Sequence, residues 1–214
     1  MSSDIPTFQA RHLDKVTNVF VISENQNERI NYMNTMIRLL NNQHVFDKMI
    51  IFGQSKERFA CPCTDINIRS TTFLMNYGTL VAETQQNKPS SNKTNGKKIL
   101  YVFDNPGEAV YKNTFFKYLI MNGRHFNCFV VIGAYMSHII PPSIRSNVDL
   151  CIVAHQLMEH SEMERLRRHY FDSIEKQVDF DNLYQRILKN KMALVLKNTY
   201  CLEDDQHIFK LHKM

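Results

Sequence analysis

Short runs of apolar residues, rich in β-branched and aromatic side chains, alternate along this chain with segments of helical periodicity. Each run is too short for a typical helix, so the pattern predicts buried strands. The predicted strands are Val16–Ser23, Lys48–Gly53, Ile99–Phe103, Phe126–Gly133, Val148–Ala154, Met192–Lys197 and, as an edge, Ile208–Leu211.

Between these runs, apolar residues recur three or four positions apart, which indicates amphipathic helices. The polar stretch Glu24–Arg29 interrupts the apolar pattern before the first helix. Gln54–Ile68 is predicted to be an irregular connection, and Asn87–Lys98 a flexible loop. The predicted helices are Ile30–Leu40, Ser70–Gln86, Ala109–Met121, Met158–Phe171 and Phe180–Lys189.

Apolar strands alternating with helices predict an α/β protein with a mostly parallel sheet and helices on both faces. We expect a single domain over residues 1–214, with its core at about 16–197. Ligands of such sheets collect at the carboxyl ends of the strands. Polar segments follow three of the predicted strands there: Ser23–Arg29, Asp104–Asn105 and Ala134–His138.

Composition narrows the function classes. Apolar residues make up 43% and charged residues 22% of the chain, which argues against a wholly disordered protein. No stretch approaches the roughly 20 apolar residues of a membrane span, and the N-terminus shows no secretory leader. We therefore expect a chain that is not secreted and has no membrane partner. The net charge of +5 permits contact with nucleic acid without requiring it.

Asp104 closes the apolar run ILYVFD, where a buried strand would fix its carboxylate. A carboxylate in that place can orient Mg²⁺ beside a nucleotide. Acids also follow strands in ordinary turns, which is the commoner explanation of this feature taken alone.

The first predicted strand and helix flank Ser23–Ile30, where a phosphate-binding loop of pattern G-x-x-x-x-G-K-S/T would lie. Ser23 and Glu28 stand at the glycine positions, Arg29 at the lysine and Ile30 at the hydroxyl. A loop without these glycines is not suited to surround phosphate with backbone N–H groups. The candidate nucleotide-contacting residues are Ser23, Asn25, Gln26, Asn27 and Arg29.

The stretch Asn122–Leu150 contains the triplet Gly123-Arg124-His125 before a strand, and later Pro141-Pro142-Ser143-Ile144-Arg145-Ser146-Asn147. Together with the order of the strands over roughly Val16–Leu196, it resembles the DNA-packaging ATPases of large DNA viruses. These are the poxvirus type within the FtsK/HerA P-loop superfamily. The resemblance implies a P-loop NTPase-like sheet that assembles into a ring and moves duplex DNA into a capsid, with ATP and Mg²⁺ as cofactors.

The resemblance also implies roles for particular residues. Asp104 is similar to the Walker B acid, which would hold Mg²⁺ if nucleotide binds, and Arg124 or Arg145 is a candidate catalytic or sensing arginine. Asn105 stands where the family has a second acid, and Ala134 where it has a sensor glutamine.

These replacements favour a packaging ATPase relative that has lost hydrolysis. No cofactor is certain for it, and the binding of ATP and Mg²⁺ stays open. Its partners would be duplex DNA, copies of itself in a ring or an active paralogue, and viral capsid components. It would act inside the host cell, in the cytoplasm or nucleus where virus assembles, or in the virion. Two alternatives stay open: an active motor subunit with an unorthodox phosphate loop, and a non-enzymatic DNA-binding or adaptor module.

Overall fold

The computed structural model describes residues 7–13, 15–53, 57–60, 62–63, 65–69, 97–154, 159–170, 177–197 and 208–211. It is an α/β fold built on one eight-stranded sheet. The strands are β1 (Asn18–Ile22), β2 (Lys48–Phe52), β3 (Asp65–Arg69), β4 (Ile99–Asp104), β5 (Cys128–Ala134), β6 (Leu150–Val153), β7 (Ala193–Lys197) and β8 (Ile208–Leu211). The helices are α1 (Gln26–His44), α2 (Glu108–Lys112), α3 (Thr114–Asn122), α4 (Pro142–Arg145), α5 (His160–Tyr170) and α6 (Gln177–Lys189).

The order of strands in the sheet is β3-β2-β4-β5-β1-β6-β7-β8. From β3 to β6 every neighbouring pair is parallel, whereas β7 and β8 join by antiparallel pairing. The predicted mostly parallel α/β sheet is therefore confirmed. Strand β1 lies in the middle, between β5 and β6, so the segment that follows it emerges at the centre of the carboxyl edge.

Helices cover both faces of the sheet, as predicted. Successive residues of a strand point to opposite faces. In β1, Phe20 and Ile22 pack with α2, α3, α5 and α6 on one face, while Val19 and Val21 pack with α1 on the other. All residues of β1 are buried, because both faces are covered.

Two sequence predictions are corrected by the structure. Gln54–Ile68 is predicted to be irregular, but Asp65–Arg69 forms β3, the edge strand beside β2. Its five residues, DINIR, contain only two apolar side chains, so the segment carries a weak strand signal. The predicted helix Ser70–Gln86, and residues 87–96 of the predicted loop, lie outside the described residues.

The second correction concerns Ala109–Met121, which is predicted to be one helix and is two. Asn113 breaks it with an extended backbone (φ −66°, ψ 134°). Its side-chain oxygen accepts hydrogen bonds from the N–H groups of Phe115 and Phe116 and so caps α3. An N-cap favoured locally ends the preceding helix, although the apolar periodicity continues across it.

None of the helices among the described residues is both long enough and apolar enough to cross a lipid bilayer.

Val45 ends α1 in an unfavourable backbone conformation. Its φ is 48°, which a β-branched residue adopts rarely, and its side chain is 71% exposed, so no packing offsets the strain.

We expect Val45→Gly to raise the free energy of unfolding by up to about 1 kcal/mol, because glycine has no Cβ to oppose a positive φ. Urea denaturation measures the change. Val45→Ala is the matched control and should gain less, since alanine keeps the Cβ. An equal gain for alanine and glycine would contradict this explanation.

Candidate functional site

Three strand ends meet at the carboxyl edge of the sheet, where parallel α/β sheets bind their ligands. Ile22 of β1 lies beside Ala134 of β5, and Gly133 lies beside Asp104 of β4. The N–H of Ser23 continues the ladder by donating to the carbonyl of Ala134 at 3.0 Å. The structure therefore brings Ser23 and Asp104 to one edge, separated by a single strand.

The side chain of Arg29 lies across β5 between them. Arg29 lies near the start of α1, and its stem passes directly over Gly133. A Cβ at Gly133 would lie 2.9 Å from Cδ of Arg29 and 2.5 Å from Sδ of Met33, too close for either. Glycine at 133 therefore gives Arg29 its path across the strand.

The guanidinium of Arg29 binds both strand ends. Its Nε–H donates to Oδ1 of Asp104 at 3.2 Å, and its Nη1 donates to the carbonyl oxygen of Ser23 at 2.9 Å. The two side chains are only 4% and 11% exposed, so this is a buried ion pair. The carboxylate that would face Mg²⁺ in a nucleotide site is here neutralised by a cation of the same chain.

The connection from β1 to α1 is short. Only Ser23, Glu24 and Asn25 separate the strand from the helix, which begins at Gln26. Helix α1 thus starts earlier than the predicted Ile30, because Asn25 caps it. Gln26 and Asn27 are already helical and exposed.

The cap uses the backbone donors that a phosphate would need. Oδ1 of Asn25 accepts hydrogen bonds from the N–H groups of Asn27 at 3.0 Å and Glu28 at 3.2 Å. Glu24 and Glu28 add negative charge beside them. Two of the first N–H groups of α1 are therefore already hydrogen-bonded to the Asn25 side chain, in a place where anion-binding helices leave their N–H groups free.

Asn105 has a structural role. It stands where the packaging ATPases that the sequence resembles have a second acid. Its φ is 47°, a conformation that asparagine tolerates better than most residues. Its N–H donates to the carbonyl of Gly133 at 2.8 Å, and its Oδ1 accepts from the N–H of Tyr135 at 3.2 Å. Asn105 thus links the end of β4 to the loop after β5.

The two candidate arginines have other partners. Nη2 of Arg124 donates to Oδ1 of Asp149 at 3.1 Å, while Oδ2 of the same buried carboxylate accepts from the N–H groups of Thr17 and Asn18. This cluster lies at the start of β1, the opposite edge of the sheet from Asp104. Arg145 donates to the carbonyl of Ile140 at 2.7 Å from α4.

Burial holds several titratable side chains in their neutral forms. It raises the pKa of Tyr111 well above the usual value, and the nearby Arg29 offsets this only in part. It also raises the pKa of the Cys128 thiol to about 12 and that of Cys151 further. These groups cannot act as bases or thiolate nucleophiles near neutral pH, and both cysteines are buried core residues.

One contributor to the site, Gly133, is predicted from the sequence only as part of a strand. An interior strand glycine in a chain with only six glycines is nevertheless a signal of close backbone approach. At the opposite edge, Asp149 is predicted as part of an apolar strand, and its hydrogen bonds to distant segments have no sequence signature.

ATP·Mg²⁺ does not fit this edge in the way that phosphate loops hold it. The β1–α1 connection is too short to surround phosphates, the first N–H groups of α1 are capped, and Asp104 is paired with Arg29. Within the described part of the chain, no three metal-ligating His, Cys, Asp or Glu side chains lie together.

No protein-family profile matches the sequence, and a comparison with curated proteins finds no match. Solved structures do share its fold. The genome-packaging NTPase B204 of Sulfolobus turreted icosahedral virus 2, in complex with AMPPCP, superposes with a TM-score of 0.63 at 10% identity. The alignment covers 93% of this chain and 98% of that one.

The B204 DNA-packaging ATPase from Sulfolobus turreted icosahedral virus gives a TM-score of 0.62 at 10% identity, over 92% and 98% of the two chains. The cytoplasmic domain of the Thermomonospora curvata type VII secretion ATPase EccC gives 0.55 at 10% identity, over 89% of this chain and 25% of that one. The chain therefore has the fold of P-loop NTPases.

We expect Asp104→Asn to lower the free energy of unfolding by about 3–5 kcal/mol, because it leaves the buried Arg29 cation without its counterion. The double variant Arg29→Met/Asp104→Asn should cost less than the sum of the single variants, since it removes both charges. Urea denaturation of the four proteins in this cycle measures the coupling.

Glu108→Gln is the matched control, because it breaks an ion pair that is exposed to solvent. It should leave the stability unchanged. An Asp104→Asn protein as stable as the wild type would show that the buried pair contributes nothing.

Proposed function

We propose that this chain is a viral genome-packaging ATPase-like protein that has lost nucleotide hydrolysis. Two observations support the packaging part. The chain shares its fold with B204 over nearly the whole length of both chains. The stretch Gly123–Leu150 independently resembles the packaging ATPases of large DNA viruses, of the poxvirus type.

The buried pair between Arg29 and Asp104 carries the second part of the proposal. Phosphoryl transfer depends on positioning and on electrostatic stabilisation of the phosphates. Here the cation and the acid that would perform these tasks neutralise each other across Gly133. Nucleotide would have to separate them and displace the Asn25 cap before it could approach the strand ends.

The other replacements point in the same direction. Asn105 cannot take a proton from water, and its side-chain oxygen is bonded to Tyr135. Ala134, which stands where the packaging ATPases have a sensor glutamine, has no polar side chain. Losing one well-placed stabilising group costs about 2.7–4 kcal/mol of transition-state stabilisation. Several such losses need not add, yet each lowers turnover.

A protein of this kind would act by binding. We propose that it serves as a non-hydrolysing ring subunit, as a partner of an active paralogue, or as a structural component at the site of virus assembly or in the virion. Duplex DNA and capsid components are the proposed partners. The net charge of +5 is compatible with contact to phosphates.

One observation favours an active motor with an unorthodox site as the second candidate. A guanidinium has five N–H donors. Two groups of the Arg29 guanidinium donate hydrogen bonds to described residues. If Asp104 were released, the remaining donors could bind a phosphate oxygen. The third candidate, a DNA-binding or adaptor module, uses only the surface of the fold.

Phosphate release from ATP·Mg²⁺, with and without linear duplex DNA, distinguishes the first two candidates. We expect the wild type, Asp104→Ala and Asn105→Asp to give the same background rate, because restoring one acid does not restore the phosphate loop. Circular dichroism of each variant confirms that it is folded. DNA-stimulated turnover that Asp104→Ala abolishes would overturn the proposal and favour the active motor.

A further inference from the structure

A cavity of about 640 Å³ lies between the start of α2 and the loop that follows β5, and its lining begins with Asn105, the residue after Asp104. This volume is within the range of small-molecule sites, about 300–1,000 Å³. Arg29 and Ser23 do not line it, so it is separate from the buried ion pair. Its lining residues are Asn105, Pro106, Gly107, Glu108, Lys112, Tyr135, Ile139 and Pro141.

The walls of the cavity offer flat apolar surfaces. Pro106, Ile139 and Pro141 supply aliphatic faces. Tyr135 supplies an aromatic ring and is 41% exposed. Among the described residues, large apolar side chains exposed to this degree are otherwise Val45 and Met121 alone. An exposed aromatic ring on the wall of a concave site is suited to stacking against a planar ligand.

The backbone of Tyr135 is held in place before any ligand arrives. Its N–H donates to Oδ1 of Asn105, whose own N–H donates to the carbonyl of Gly133. Binding therefore does not have to order this part of the loop, which reduces its entropic cost. No described residue accepts a hydrogen bond from Nδ2 of Asn105, which can therefore donate to a ligand.

Lys112 provides a cation in the lining of the cavity. Its Nζ is 2.6 Å from Oε1 of Glu108, and both side chains are largely exposed. The lysine lowers the pKa of Glu108 by hydrogen bonding and by its charge, so Glu108 is ionised near neutral pH. Exposed pairs of this kind are weak, and an anionic ligand can compete for Lys112.

We propose that this cavity binds one base-plus-phosphate unit, either as a free nucleotide or as a nucleotide of single-stranded DNA. The base stacks on Tyr135 between the proline faces, and the Asn105 amide donates to the edge of the base. The phosphate forms an ion pair with Lys112 in place of Glu108. This goes beyond the proposed loss of hydrolysis, and it does not depend on the state of the Arg29–Asp104 pair.

The sequence contains no tryptophan, so Tyr135→Trp places a single stacking reporter in the cavity. We expect thymidine monophosphate and a 15-nucleotide oligothymidylate to quench its fluorescence to saturation. Met121→Trp is the matched control, because Met121 is also exposed to solvent, at the end of α3 and near the opposite edge of the sheet. The fluorescence of this control should not change.

Calorimetric titration of the same two probes tests the residues without a reporter. Tyr135→Ala should weaken binding by about 5- to 150-fold, the range for loss of one base stack, and Tyr135→Phe should retain it. Lys112→Gln should weaken binding and lower its dependence on salt, whereas Glu108→Gln should strengthen binding, because it frees Lys112.

Equal affinity for the two probes assigns the cavity to free nucleotides, and tighter binding of the oligothymidylate assigns it to single-stranded DNA. Both support the proposal. If neither probe at millimolar concentration quenches the Tyr135→Trp protein to saturation, the proposal is overturned. Equal quenching of the Met121→Trp protein overturns it as well. Neither result bears on hydrolysis, which the phosphate-release experiment reports separately.

Discussion

A single arginine side chain organises the carboxyl edge of this sheet. Arg29 leaves α1, crosses β5 over Gly133, and bonds to the end of β1 through the carbonyl of Ser23 and to the end of β4 through Asp104. Buried charges are costly unless they are paired and hydrogen-bonded. Arg29 and Asp104 therefore depend on each other, and the path between them depends on glycine at 133.

This pair changes what the edge can do. Parallel α/β sheets collect ligands at the carboxyl ends of their strands because loops and helix N-termini expose polar groups there. Here those groups are satisfied internally: the carboxylate by Arg29, the first N–H groups of α1 by Asn25, and the oxygen of Asn105 by Tyr135. A fold shared with nucleotide-binding proteins thus has a closed centre, and its open cavity lies further along the same edge.

The opposite edge of the sheet also contains a buried carboxylate paired with an arginine. Asp149 is buried just before β6 and accepts hydrogen bonds from the start of β1 and from Arg124. It joins segments more than a hundred residues apart in sequence. Arg124, the arginine of the Gly-Arg-His triplet, is a candidate catalytic arginine in the sequence. In the folded chain it pairs with Asp149 and so stabilises the amino ends of the central strands.

Local patterns in the sequence were enough to predict the α/β fold, because apolar runs of strand length and helical periodicity depend only on residues close together in the chain. These patterns predicted β1, β2, β4 to β8 and most of the helices. They also located Asp104, Arg29 and Ser23 as neighbours of one edge. The pairing of Arg29 with Asp104, 75 residues away, and the position of Arg124 at the other edge came from the folded chain alone. Such contacts depend on strand order and on the space above Gly133, which no local pattern encodes.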